Sequence, residues 1–122
     1  MSEFKIKDKS FSFAIKIIGL YQALKQRNNE FVLSKQLLRS GTSVGAMVRE
    51  AQNAESRLDF EHKLAIAQKE CDESLYWLEL LRAMDYLNEN EFISYHSHAA
   101  ELLKMIRSAI LTSKSKHKPN PS

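Results

Sequence analysis

The chain has 122 residues, 43% hydrophobic and 27% charged, with a formal net charge of +3, which suits a single soluble domain with one core. It holds three Gly, two Pro and one Cys, too few breakers for a β-rich domain and too few thiols for an internal disulfide or a thiolate cluster, so an all-α fold is expected. The charged start Met1-Ser2-Glu3-Phe4-Lys5-Ile6-Lys7-Asp8-Lys9 does not read as a signal peptide. No apolar run reaches the roughly 18 residues of a membrane span, so a cytoplasmic location and no membrane partner are expected.

Charge is segregated along the chain. Residues 1–49 carry nine Lys/Arg against three acids (+6), residues 50–101 four against twelve (−8), and residues 102–122 five against none (+5). Such separation steers helices or subunits together, or leaves a basic face for an anionic partner.

The first helix is expected from about Ser10 to Arg27, with Phe11, Ala14, Ile15, Ile18 and Tyr21 as its apolar stripe, widened by Ile17, Leu20 and Leu24. Asn28-Asn29-Glu30 has turn composition and ends it. The second helix runs from Phe31 or Ser34 to Asn53, where Leu33, Leu37, Val44, Met47, Val48 and Ala51 share one face with Ser40. Gly41 and Gly45 each cost about 1 kcal/mol there relative to Ala; close packing of a neighbouring backbone explains them, and a kink is the alternative.

Ser56-Arg57-Leu58-Asp59 opens the third helix as a capping box, and nothing breaks it before about Tyr86, some 45 Å at 1.5 Å per residue. One stripe holds Phe60, Leu64, Ala67, Cys71, Leu75, Leu78 and Arg82. A second holds Ile66, Glu70, Glu73, Trp77, Leu80 and Met84, more than a monomeric bundle needs, and it reads as an inter-subunit face. Asn88-Glu89-Asn90-Glu91 caps the fourth helix, whose period continues through Phe92, Tyr95, Ala99, Leu102, Leu103, Ile106 and Ile110 to about Thr112. An antiparallel up-down-up-down four-helix bundle over residues 1–112 follows, with residues 113–122 as a disordered basic tail.

Catalytic constellations are not expected. Gly41 and Gly45 lack the strand and Lys context of a phosphate-binding loop. His62, His96, His98 and His117 form no i, i+4 pair, and His96 and His98 point about 200° apart on a helix. Asp59-Phe60-Glu61-His62 is the nearest match to a di-metal bundle motif and has no second copy. Cys71 lies on the core stripe, where a free Cys acts as a small apolar residue. No catalytic, cofactor or metal site is therefore assigned. Arg39, Ser43 and Glu50 form a polar stripe that is either the wet side of the second helix or a set of charge-assisted bonds across a boundary, with Glu70 and Glu73 as acceptors for Arg39 or Arg49. Trp77 beside Tyr76 reads as core or interface ahead of base stacking.

Arg39-Ser40-Gly41-Thr42-Ser43-Val44-Gly45-Ala46, Glu50-Ala51, Ser56, Asp59-Phe60 and Glu73-Ser74-Leu75-Tyr76-Trp77-Leu78 resemble a four-helix-bundle family first described from reading frames in 23S rRNA intervening sequences. Its relatives include the accessory variability determinant of diversity-generating retroelements. The likeness spans about residues 5–112 and implies a bundle that assembles into a homopentamer. Retroelement relatives bind nucleic acid and a reverse transcriptase through a basic surface. Two departures stand out: Met47 occupies a position where the family usually has Asn, and residues 50–101 are net acidic. The resulting expectation is a non-enzymatic oligomer with Lys16, Lys25, Arg27, Lys35, Arg39 and Arg49 as contacts to RNA or DNA. Ser43, Glu50, Glu70, Glu73, Trp77 and Leu80 are the expected subunit interface. A scaffold that docks a protein partner such as a reverse transcriptase, without nucleic acid, is the alternative.

Overall fold

The computed structural model describes residues 3–116, with side chains from Lys5 onward. Four helices follow in order: α1 (Glu3–Asn28), α2 (Leu33–Gln52), α3 (Arg57–Ala83) and α4 (Glu89–Lys116). Two bounds differ from the sequence expectation. Helix α1 begins at Glu3, well before Ser10, because Ile6 and Ser10 are buried and hold the Lys5–Lys9 stretch onto the bundle. Helix α4 carries through Lys116, because Ser113 is buried and its hydroxyl bonds Glu61 Oε2 at 2.6 Å and accepts from Arg57 Nη1 at 3.5 Å. The rest of the expected tail, residues 117–122, lies outside the described residues.

The turns are built by local chemistry. Asn29 (φ 54°) and Asp85 (φ 64°) take the left-handed conformation that ends α1 and α3. Past Asp85, the Tyr86 N–H returns to the Leu81 carbonyl at 2.9 Å, the Schellman closure. Ser56 accepts from the Asp59 N–H at 3.0 Å to start α3. Asn88 and Glu91 cap α4 reciprocally: Asn88 Oδ1 accepts from the Glu91 N–H at 2.8 Å, and Glu91 Oε1 accepts from the Asn88 N–H at 3.0 Å. At α2 the work falls to Glu30, whose carboxylate accepts from the N–H groups of Ser34 (2.8 Å), Val32 (3.1 Å) and Leu33 (3.2 Å). Burial pushes the Glu30 carboxyl upward, but these bonds outweigh it and hold it below the usual carboxylate range.

Each helix packs on its chain neighbours, and α4 closes the square against α1. Cross-contacts run in opposite senses at every seam. Gly41 sits on Ile17 and Gly45 on Ser10 between α1 and α2, while Arg39 meets Glu70 and Glu50 meets Lys63 between α2 and α3. Glu79 meets His96 and Glu61 meets Ser113 between α3 and α4; Lys16 meets Ser94 and Lys9 meets Glu101 between α1 and α4. The result is an antiparallel four-helix bundle.

Its core contains Phe13, Ile17, Leu20 and Leu24 from α1, packed with Leu37, Val44, Leu78, Leu81, Leu102 and Ile106 from the other helices. Ile17, Leu20 and Leu24 face inward as expected, but the rest of the expected α1 stripe is corrected. Phe11, Ile15 and Ile18 stand on the opposite face, 58%, 57% and 40% exposed, so α1 is apolar on two sides. The α2 face holds as expected, with Leu37, Ser40, Val44, Val48 and Ala51 buried. Helix α2 is continuous through both glycines. A Cβ at Gly41 would stand 3.0 Å from Ile17 Cγ2, so this glycine serves close packing.

Buried polar groups are paired. Ser40 and Ser74 bond each other at 2.9 Å across the α2–α3 seam: one hydroxyl donates to the other, which in turn donates to a carbonyl of its own helix, Leu37 O at 3.3 Å for Ser40 or Glu70 O at 2.9 Å for Ser74. Among the described residues no buried side-chain nitrogen or oxygen lacks a partner.

Candidate nucleic-acid and subunit interfaces

The six cations singled out from sequence divide into two groups. Arg27 is a structural clasp: its guanidinium donates to Glu91 Oε2 at 2.8 Å, to the Tyr86 carbonyl at 3.1 Å and to Asn28 Oδ1 at 3.0 Å. The Arg27 bond and the Asn88 N–H together hold the Glu91 carboxyl below its usual range. Arg39 bonds Glu70 Oε2 at 3.2 Å and also Glu73. Lys16 donates to Ser94 Oγ at 3.3 Å and lies 5.1 Å from the centre of the Tyr95 ring. Lys25, Lys35 and Arg49 are exposed and form no ion pair among the described residues. Lys25 and Lys35 lie at the α1–α2 turn, and Arg49 lies near the other end of α2.

The expected interface residues also divide. Glu70, Glu73 and Trp77 gather around Arg39: the indole Nε1 donates to Glu73 Oε2 at 3.0 Å. Arg39 therefore takes the acceptors proposed for it, and it does so within one chain. Ser43 donates back to the Arg39 carbonyl at 2.7 Å. Glu50 pairs with Lys63 at 3.2 Å, away from this cluster. Leu80 is half-buried, one turn beyond Trp77. Ile66, Glu70, Glu73 and Trp77 are likewise half-buried, and only Met84 of that α3 stripe is exposed.

The apolar surface that sequence periodicity misplaced lies on α1. Phe11, Ala14 and Ile18 line a cleft with Thr42, Gly45 and Ala46 of α2, and Lys7 and Arg49 stand at its margin. Small α2 residues at 45 and 46 are the sequence signal for it, since missing side chains leave a furrow between the two helices.

Cys71 and His98 are both held against neighbouring helices. Cys71 is buried, donates to the Ala99 carbonyl at 3.3 Å, and burial with the Asp72 charge pushes its thiol up to about 12. His98 packs edge-on against Phe13 with ring centres 5.4 Å apart. Burial, then the charges of Lys16 and Lys9, hold its imidazole below the usual histidine range. Among the described residues no group of three His, Cys, Asp or Glu is placed to hold a metal ion, and no helix is long and apolar enough to cross a membrane.

A search of curated proteins finds no match. Among solved structures, a protein of unknown function from the S23 ribosomal protein family of Bacteroides thetaiotaomicron is 47% identical, with a TM-score of 0.89 over 91% of this chain and 99% of that one. The model of the 23S rRNA-intervening sequence protein family matches residues 2–108. With nearly the whole bundle covered by that match, this chain belongs to the 23S rRNA-intervening sequence protein family.

Proposed function

We propose that this protein is a non-enzymatic homo-oligomer, a pentamer in the reading drawn from its family, that holds RNA or other nucleic acid on a basic surface. The observation that carries it is the separation of charge between helices. The +6 segment of residues 1–49 forms α1 and α2, and the −8 segment of residues 50–101 forms α3 and the start of α4. Lys25 and Lys35 stay exposed at one end of the basic half, free to meet phosphates, while Arg27 and Arg39 are spent on their own fold. The reading is non-catalytic because the one thiol is buried and protonated and the His98 ring is packed against Phe13.

Fluorescence anisotropy of the full chain against a structured RNA and an unrelated DNA, titrated across salt, tests this. Affinity should fall steeply with salt, and Lys25→Ala with Lys35→Ala should reduce the log–log slope by about two if each cation releases one counterion. Flat traces at low salt would reject nucleic-acid binding and favour a scaffold for a protein partner.

A further inference from the structure

The α1–α2 cleft is apolar along its floor and basic at its margin. Phe11 and Ile18 expose 58% and 40% of their surface, and no acid lines the cleft between Lys7 and Arg49. A surface of that kind is matched by an aromatic ridge flanked by carboxylates. The chain carries one on α3. Tyr76 is 56% exposed and its ring stands edge-on to Trp77, 5.0 Å between centres. Asp72, four residues before it, and Glu79, three after it, share its outward face. Asp72 forms no ion pair among the described residues, and Glu79 meets only His96, on α4.

Ridge and cleft lie on different sides of the square: α1 has α2 and α4 as its neighbours, and α3 stands diagonally across the bundle from it. No chain can seat its own ridge in its own cleft.

From this pairing of apolar and oppositely charged surfaces we infer that the α1–α2 cleft of one copy receives the Tyr76 ridge of a second copy. The inference rests on the homo-oligomeric reading and deepens it by naming both faces. Such a contact is heterologous: each copy gives a ridge and receives one, so repetition generates a closed ring or an open filament but no two-fold dimer. Arg49 and Lys7 then serve the subunit contact, and Lys25 and Lys35 remain for an anionic ligand.

A mixing experiment tests the pairing. The cleft variant carries Phe11→Asp and Ile18→Asp; the ridge variant carries Tyr76→Asp. All three positions are exposed, and circular dichroism checks that both variants stay helical. Should the cleft variant misfold, Phe11→Ser with Ile18→Ser takes its place. Native mass spectrometry at micromolar concentration should find an assembled wild type, two monomeric variants, and a 1:1 heterodimer when the variants are mixed. The heterodimer forms because the mixture retains one intact ridge and one intact cleft. A monomeric wild type would overturn the oligomeric reading and this inference with it. An assembled wild type alongside a ridge variant that also assembles, or two monomeric variants that stay apart on mixing, would overturn the pairing alone.

Discussion

Across the α2–α3 seam, Arg39, Glu70, Glu73 and Trp77 satisfy one another and Ser40 bonds Ser74, all inside one chain. On the outer side of α1, by contrast, Phe11, Ile15 and Ile18 remain exposed in a single copy. Both regions break the simple amphipathic pattern, the first by burying Ser40 and Ser74 beside a half-exposed charge cluster and the second by placing apolar groups outward. A polar residue off the expected face is therefore a weak sign of a subunit boundary, because here its partner sits on the next helix of the same chain. An apolar residue on an outward face has no such remedy within the chain.

The largest expected effect falls within the seam. Ser74→Leu forces extra volume against Ser40 and α2 and should lower unfolding free energy by about 2–3 kcal/mol in urea denaturation, the range of overpacked cores. Phe11→Ser should change the stability of a dissociated chain far less.

Glu30→Gln, at the entrance to α2, should cost about 1–2 kcal/mol, as for loss of a strong cap. The native Glu30 also makes stability acid-sensitive, and the Gln variant should lose that sensitivity. Its carboxyl is lowered in the fold, so this stabilisation is complete above the unfolded value near 4.5 and is lost as pH falls through the lower folded value. His98 acts earlier: held neutral in the fold, it withdraws stability as pH falls from 6.5 toward its depressed folded value. Urea midpoints followed downward from neutral pH should decline in that order, and His98→Asn should flatten the first decline.

The two glycines of α2 sharpen the contrast within one turn. Gly41→Ala gains about 1 kcal/mol of helix propensity but drives a Cβ to 3.0 Å from the buried, β-branched Ile17, so a net loss is expected. At Gly45 the nearest atom to a new Cβ is 3.5 Å away, so Gly45→Ala should raise the thermal midpoint of the dissociated chain by the equivalent of up to about 1 kcal/mol. Smallest is Arg39→Ala, within about 1 kcal/mol, because the ion pairs are half-exposed and screened. A large loss there would mean that the Arg39 cluster is covered by something beyond its own chain.

Much of this was legible in the sequence. Helix number, the caps at Ser56 and Asn88 and the buried α2 face follow from local spacing, while charge marks Glu70 and Glu73 as acceptors for Arg39 or Arg49 without choosing between the two. The α1 core is legible only in part: spacing marks Ile17, Leu20 and Leu24, which are buried, but Phe11-Ile15-Ile18 and Phe13-Ile17-Leu24 both recur at helical spacing, and the pattern alone does not decide which set faces in. Glu30 escaped notice because capping rules look for a short side chain next to the helix, where Val32 stands. Arg27 looked free to meet a ligand because its acceptors, Tyr86 and Glu91, come from a turn far along the chain.

The central question is whether another copy covers the outer α1 face. Sedimentation equilibrium of the full chain at micromolar concentration, beside the Phe11→Asp, Ile18→Asp variant, tests that most directly. The wild type should sediment at a discrete multiple of the 14.1 kDa chain mass, fivefold in the pentameric reading, and the two substitutions should reduce it to about 14.1 kDa. A wild type that sediments at 14.1 kDa would contradict coverage by another copy.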